Sequence, residues 1–227
     1  MALLMPGPFV DQPEWIDRLA EQGLIVMPEA LPTACTEGLL QEWQSRYAAG
    51  YSAPAHIGKG YQQQAAATIR SDRIHWLEAN DPQPDIAAFF QAIRVWSRAV
   101  NQSLYLALNA FECHFACYEP GAFYQKHRDR FQADNGRRLS LVLFLNRNWK
   151  SEDGGDLVIY NPLHDDEILQ VIPPTFGTLV IFDSERFPHE VRPTQRQRLS
   201  LTGWLKSISA HDAFLQGTAL FPDPAAL

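Results

Sequence analysis

The chain has 227 residues, of which 46% are hydrophobic and 20% are charged, and its formal net charge at pH 7 is −7. Length and composition indicate one ordinary globular domain, and the acidic balance excludes the basic surface that nucleic acids and anionic membranes require. We therefore expect a monomer with no nucleic-acid partner and no membrane partner.

The three cysteines do not form a disulfide pattern, and an odd number of thiols favours a reducing compartment. The first residues, MALLMPGPFVDQ, have prolines within their apolar run and no leading basic segment, so they do not resemble a signal peptide. We expect a cytoplasmic protein. Cys113, His114 and Cys117 could suggest zinc, but no second pair of soft ligands follows, which favours small buried strand residues.

The N-terminal part of the chain predicts two helices with a short strand between them. Residues 13–22 and 34–48 carry apolar side chains at spacings of three and four, as amphipathic helices do. The segment 23–31 is a short apolar run and predicts the strand. A side-chain cap from Thr33 or Thr36 is expected at the start of the second helix.

Residues 51–68 lose this periodicity and are rich in Gly, Ala and Gln, which predicts a long loop. Such loops are either functional lids or plain surface connections, and both interpretations stay open here. Residues 81–100 return to helical spacing and predict a long amphipathic helix, whose apolar face requires a sheet to cover.

From residue 103 onward the pattern changes to short runs of Val, Leu, Ile, Phe and Tyr, separated by the turn signals EPG, DNG, EDGG, PPTFG and RPTQ. Many short strands with such turns favour a sandwich or jelly roll. We therefore predict a mainly β fold, a double-stranded β-helix (a cupin-like jelly roll) with helices buttressing one sheet. The whole chain, 1–227, is interpreted as a single domain, with helical support in 1–102, the β core in 103–206 and a C-terminal extension in 207–227.

A His-x-Asp pair, His127 and Asp129, follows the first of these apolar runs. Residues two apart in a strand point to the same side, so the pair can present an imidazole and a carboxylate to one point. A distant histidine, with His189 as the candidate, would complete a set of two imidazoles and one carboxylate, which suits non-haem Fe(II). The alternative is a loop carboxylate beside an ordinary hydrogen-bonded histidine.

The last predicted strand separates two chemically different faces. Leu199, Leu201 and Leu205 fall on one face, and the other carries Arg198, Ser200, Thr202 and Trp204. A guanidinium on an inward face of a sandwich matches a carboxylate ligand. The alternative for Arg198 is an exposed charge on an edge strand.

Around these residues the sequence resembles the 2-oxoglutarate and Fe(II)-dependent oxygenases, and more closely the prolyl hydroxylases of the type that modify hypoxia-inducible factor. The resemblance runs from IRSDRIHWLE (69–78) through ACYEPG, YQKHRD, LFLNRNW, SEDGGDLVIY, FPHEV and RLSLTGW. It implies Fe(II), the co-substrates 2-oxoglutarate and O2, and ascorbate as a candidate additional cofactor. The implied reaction couples hydroxylation to decarboxylation of 2-oxoglutarate into succinate and CO2.

The resemblance also implies roles for individual residues. His127, Asp129 and His189 become the metal ligands and catalytic residues, and Arg198 holds the far carboxylate of 2-oxoglutarate. The rest of the co-substrate pocket is then Tyr118, Val142, Leu157, Val191, Thr202 and Trp204. A finger at about 57–72 folds over the substrate, and the substrate-binding residues are Tyr124, Arg70, Asp72 and Arg137, with Asp72 expected to pair with Arg137.

Phe144 departs from the pattern, because the animal oxygen-sensing enzymes have a tyrosine there whose hydroxyl helps to hold the co-substrate carboxylate. The function expected from the resemblance is a prolyl 4-hydroxylase of a protein substrate, with elongation factor Tu as the named candidate. One alternative is a 2-oxoglutarate-dependent hydroxylase of a free amino acid or small metabolite. The other is a cupin-like metal-binding or sensor module without turnover.

Overall fold

The computed structural model describes residues 14–55, 69–129, 136–211 and 221. Within these ranges the helices are α1 (Glu14–Gln22), α2 (Thr33–Ala48) and α3 (Pro84–Leu104), which confirms the three predicted helices. None of them is long and apolar enough to cross a bilayer.

The predicted threonine cap of α2 is wrong. Thr33 is already the first helical residue, and the residue before it, Pro32, has no side-chain cap. The carbonyl of Pro32 instead accepts hydrogen bonds from the backbone N–H groups of Cys35 and Thr36. The first turn is therefore closed by the backbone alone.

The strands form two antiparallel sheets. Among the described residues they are β1 (Leu24–Met27), β2 (Ala53–Pro54), β3 (Arg73–Leu77), β4 (Ala110–Tyr118), β5 (Tyr124–His127), β6 (Arg137–Phe144), β7 (Leu157–Asn161), β8 (His164–Ile172), β9 (Leu179–Asp183), β10 (His189–Val191) and β11 (Arg198–Lys206). The large sheet has the order β1-β9-β6-β11-β4-β3-β2, and the small sheet has the order β5-β10-β7-β8.

From β4 to β11 the chain moves repeatedly between the two sheets, as a jelly roll requires. This confirms the predicted mainly β fold with buttressing helices. Of the predicted finger, residues 57–68 lie outside the described residues, and so do 212–220 and 222–227 of the predicted C-terminal extension. The division of the chain into support, core and extension stays a prediction.

The two faces of the large sheet bury different sets of side chains. Leu199, Leu201 and Leu205 of β11 pack in one cluster with apolar residues of α3, such as Phe89 and Ile93. A second cluster lies between the sheets and contains Tyr118, Val142, Phe144, Leu157 and Val191. Since side chains alternate along a strand, the face of β11 that carries Arg198 points between the sheets.

Candidate metal centre and anion pocket

Two strands of the small sheet bring the three predicted metal ligands together. His127 ends β5, and His189 begins β10 directly opposite it in the antiparallel register. Asp129 follows two residues after His127. The ligand atoms of the three side chains all lie within 4.8 Å of one another. Asp129 Oδ1 is 3.6 Å from His127 Nε2, and its Oδ2 is 3.5 Å from His189 Nε2.

Backbone carbonyls orient both imidazoles. Nδ1 of His127 lies 2.8 Å from the carbonyl oxygen of Gln125, and Nδ1 of His189 lies 3.1 Å from that of Phe187. A carbonyl can only accept, so each Nδ1 donates and each Nε2 keeps a lone pair directed at the shared point. Burial, together with the charge of His127, lowers the pKa of His189 to about 4, which favours the neutral, ligating form.

Two hydrogen-bonded serines, Ser140 and Ser184, lie beside the carboxylate of Asp129. Ser140 Oγ donates to Asp129 Oδ2 at 2.6 Å, and it lies 2.9 Å from Ser184 Oγ. Burial alone would raise the pKa of Asp129, but interactions with His189 and His127 hold that pKa well below its usual value. The side chain is therefore an anion. Two imidazoles and one carboxylate at this spacing fit a divalent first-row metal such as Fe(II).

An aromatic side chain covers one face of the metal site. The ring of Tyr124 stacks on the ring of His127 with centroids 3.6 Å apart. The guanidinium of Arg70 lies 4.3 Å from the ring centroid of Tyr124. Arg70 also binds Asp72 with two hydrogen bonds, of 2.8 and 2.6 Å. The side chain of Asp72 is fully buried in this pair.

The predicted pairing of Asp72 with Arg137 is therefore wrong. Arg137 instead donates to Glu112 at 3.0 Å and to the backbone oxygen of Asp129 at 3.3 Å. The reason is the strand order, because Asp72 precedes β3, Arg137 begins β6, and β4 and β11 lie between those two strands. Three steps between neighbouring strands amount to about 14 Å, too far for a direct pair across the sheet.

Arg198 is buried between the sheets, and we name its guanidinium and the side chains around it the anion pocket. The residue is only 1% exposed, and its Nε donates to the carbonyl of Gly155 at 2.7 Å. Its guanidinium lies 4.9 Å from the ring centroid of Tyr118 and 5.1 Å from that of Phe144. Its Nη2 has no hydrogen-bond partner among the described residues.

Burial lowers the pKa of Arg198 from its ordinary value, yet a guanidinium remains charged at any working pH. A buried cation with a free donor is costly unless an anion binds it. The pocket therefore fits a carboxylate ligand. Gly155 has φ of +68° and a Cβ there would lie 3.0 Å from Cδ of Arg198, so glycine allows this close approach.

The structure brings the other predicted pocket residues to the same interior. The apolar cluster between the sheets includes Tyr118, Val142, Leu157 and Val191, with Tyr124 packed against it. Thr202 and Trp204 follow Arg198 on the same face of β11, as the alternation predicted. Their individual roles toward a ligand stay predictions.

Sequence reasoning missed Ser140, Ser184 and Glu112. Ser140 alternates with Val142 and Phe144 on β6, so the same two-residue spacing could have placed it on the inner face. Nothing in the sequence indicated the contacts of Ser184 or Glu112. Cys113 and Cys117 are buried in the apolar cluster that packs against α3, and His114 points to the opposite face of β4, which agrees with the interpretation of the cysteines as small buried strand residues.

Comparisons with known proteins agree with this geometry. A family model described as the 2OG-Fe(II) oxygenase superfamily matches residues 113–206. A Pseudomonas putida prolyl-4-hydroxylase of known crystal structure has 38% sequence identity to this chain, and the two structures align with a TM-score of 0.77. The alignment covers 86% of this chain and 98% of the other.

A Trichoplax adhaerens prolyl hydroxylase, solved in complex with a hypoxia inducible factor oxygen degradation domain peptide fragment, is 26% identical with a TM-score of 0.76. That alignment covers 88% of this chain and 90% of the other. Human prolyl hydroxylase EGLN3 is 27% identical over 141 residues, which is 60% of this chain. The chain spans 58% of the length of that curated relative.

Proposed function

This chain belongs to the 2OG-Fe(II) oxygenase superfamily, and from that premise we propose that it is a prolyl 4-hydroxylase of a protein substrate. The family uses Fe(II), 2-oxoglutarate and O2, and the proposed reaction couples hydroxylation of a proline to conversion of 2-oxoglutarate into succinate and CO2.

The observation that carries the proposal is the position of Arg198 relative to the metal triad. Its Nη2 is buried with no partner among the described residues, and its guanidinium lies 4.9 Å from the Tyr118 ring centroid. Tyr118 belongs to the apolar cluster between the sheets, and Tyr124, whose ring stacks on His127, packs against the same cluster. A dicarboxylate can therefore be held at one end by Arg198 and at the other by a metal bound to the triad. A plain metal-binding sandwich gives no reason for this buried cation.

In the proposed reaction His127, Asp129 and His189 hold Fe(II), which with 2-oxoglutarate and O2 bound supplies the oxidising chemistry. Arg198 binds the far carboxylate of the co-substrate through its guanidinium fork. Side chains of the apolar cluster, Val142 and Leu157 among them, exclude water from the co-substrate chain. Tyr124, stacked on His127, forms the wall toward the substrate proline.

Similarity to enzymes named prolyl hydroxylases supports proline as the target, and the peptide-bound Trichoplax structure supports a macromolecular substrate. We propose elongation factor Tu as the protein to test first, and we assign the substrate side of the site to Arg70, Asp72, Tyr124 and Arg137, with the finger at about 57–72. The three buried free thiols suit a reducing cytoplasm. A monomer and stimulation by ascorbate complete the proposal.

The test is mass spectrometry of elongation factor Tu after incubation with the protein, Fe(II), 2-oxoglutarate, ascorbate and O2. We expect one added oxygen atom on a proline and an equal amount of succinate. Labelling confined to another residue type would overturn the prolyl assignment, and turnover of a free amino acid alone would favour the small-substrate alternative.

Arg198→Ala separates co-substrate binding from metal binding in the same assay. We expect an increase of about 100-fold in KM for 2-oxoglutarate, because the charge-assisted bonds to the carboxylate are lost. Affinity for Mn(II), used as a redox-stable metal, should not change. Arg192→Ala is the matched control, since Arg192 is partly exposed and lies near Glu190 on the surface.

A further inference from the structure

His114 lies on the inner face of β4, beside the candidate metal centre. In the sheet register it stands between Thr202 of β11 and Trp76 of β3. The next inward residues along β4 are Ala116 and then Tyr118, which leads to Arg198. His114 therefore belongs to the wall of the same interior, away from the anion pocket.

The imidazole of His114 is buried, and one of its two ring nitrogens has no hydrogen-bond partner among the described residues. The residue is 2% exposed, and its Nδ1 makes no hydrogen bond to any described residue. Burial, together with the positive charges of Arg70 and Arg137, lowers its pKa to about 3. A buried ring nitrogen that is left unpaired destabilises the folded protein, so such groups are uncommon without a ligand.

Three rings form a continuous wall from the surface to the metal centre, and we name Trp76, His114 and Trp204 the aromatic wall. The His114 ring centroid is 4.9 Å from that of Trp76 and 5.5 Å from that of Trp204. Trp76 is 49% exposed and marks the mouth. Trp204 is opposite Ser140, the serine that binds Asp129.

The wall offers hydrogen-bond donors. Trp204 Nε1, which can only donate, is also buried and has no partner among the described residues. The carboxylates of the co-substrate are taken by Arg198 and the metal, and Trp204 belongs to the predicted co-substrate pocket, so Nδ1 of His114 is left for another ligand. A second ligand with acceptor atoms is required, and it must enter past Trp76.

We propose that His114 is a substrate-recognition residue whose Nδ1–H donates to a backbone carbonyl beside the target proline. Proline has no N–H, so the polar backbone atoms nearest to it are two carbonyl oxygens, its own and that of the preceding residue. Both require donors. This inference rests on the proposed prolyl hydroxylase function and adds a residue that hydrogen-bonds to the backbone of the substrate peptide.

The experiment compares His114→Phe with His114→Asn. Phenylalanine keeps the ring volume and removes the donor, whereas the asparagine amide nitrogen stands close to the position of Nδ1 and restores it. His164→Phe is the matched control, because His164 is exposed on β8. His114→Leu serves as a second apolar variant if the phenylalanine variant does not fold.

Two quantities are measured for each variant. One is KM for intact elongation factor Tu and for 2-oxoglutarate. The other is Kd, without turnover, of the Mn(II)- and 2-oxoglutarate-loaded protein for the elongation factor Tu peptide that contains the hydroxylated proline. We expect His114→Phe to raise both substrate constants about tenfold, the effect of one lost hydrogen bond, with KM for 2-oxoglutarate unchanged. His114→Asn should recover most of this loss.

An unchanged peptide Kd in the apolar variants would overturn the inference, and so would an equal loss in His114→Asn. A tenfold rise in KM for 2-oxoglutarate would assign His114 to the co-substrate instead. These outcomes leave the proposed function intact, because wild-type turnover is measured first. Absence of proline hydroxylation by the wild-type protein removes both proposals.

Discussion

At the scale of single residues, the direction of a few atoms decides what the site can bind. Nδ1 of each metal-facing histidine is used by a carbonyl, and one oxygen of Asp129 is held by Ser140. Such bonds fix ligand geometry before any metal arrives, which lowers the entropy cost of binding. The residue types alone do not provide this preorganisation.

Ser140→Ala should weaken metal binding while the fold persists. Loss of the 2.6 Å bond removes one of the contacts that orient the Asp129 carboxylate, and hydrogen-bond partners of metal ligands are worth about 10- to 100-fold in metal affinity. Calorimetric titration with Mn(II) measures the change. Ser184→Ala is the matched control, since Ser184 contacts Ser140 rather than the carboxylate, and an equal loss in both variants would contradict the argument.

Phe144→Tyr should strengthen co-substrate binding. The Phe144 ring lies 5.1 Å from the Arg198 guanidinium carbon, so a hydroxyl on this ring would reach the region where the far carboxylate is expected. We expect KM for 2-oxoglutarate to fall about tenfold, which corresponds to the lower limit for one hydrogen bond to a charged group. An unchanged or higher KM would contradict the prediction, because it would mean that the para position of the ring is not directed at the far carboxylate.

At the scale of elements, β4, β6 and β11 are joined by a buried ionic network next to the site. Glu112 accepts from Arg137 at 3.0 Å and from Lys206 at 3.2 Å, and the Lys206 side chain is completely buried. The guanidinium of Arg137 also lies 3.5 Å from the Trp204 ring centroid. The network therefore fixes both the strand ends and one side of the aromatic wall.

Glu112→Ala should lower the free energy of unfolding by about 3 kcal/mol, because it removes a carboxylate partner of a buried ammonium. Denaturant titration followed by tryptophan fluorescence provides the measurement. Glu37→Ala is the control, since Glu37 forms an exposed ion pair with Arg147 and should cost about 0.5 kcal/mol or less. Similar losses in the two variants would mean that burial does not set the strength of the pair.

At the scale of the whole molecule, the metal site links parts of the chain that are distant in sequence. His127 ends β5 and Asp129 lies just after it, whereas His189 comes from β10, sixty residues after Asp129 by their numbering. The ligands are close together only in the folded jelly roll. Metal binding therefore stabilises the native state over the unfolded chain.

Mn(II) at a hundred times its Kd should stabilise the protein by about 2.7 kcal/mol, which corresponds to a rise in Tm of roughly 5–10 °C for a chain of this size. Thermal unfolding with Mn(II), and again after chelation with EDTA, measures this shift. His127→Ala should lose it. A variant that keeps the full shift would place the bound metal outside the triad.

The sequence by itself determined the features that depend on neighbours along the chain. Helical spacing predicted the three helices, and the two-residue period put Arg198 on the face opposite Leu199 and Leu201. His127 and Asp129 do meet as predicted, although β5 ends at His127 and Asp129 lies in the bend that follows it. The order of motifs indicated the family. These inferences succeed because strand and helix periodicity are local properties.

Only the tertiary structure decided which distant side chains meet. Arg137 pairs with Glu112 rather than with Asp72, Ser140 binds Asp129, and the ring of His114 contacts two tryptophans. Each of these contacts follows from the order and register of strands in the large sheet and from its distance to the small sheet. Strand order is set by the packing of the entire chain, so the local periodicity of the sequence does not predict it.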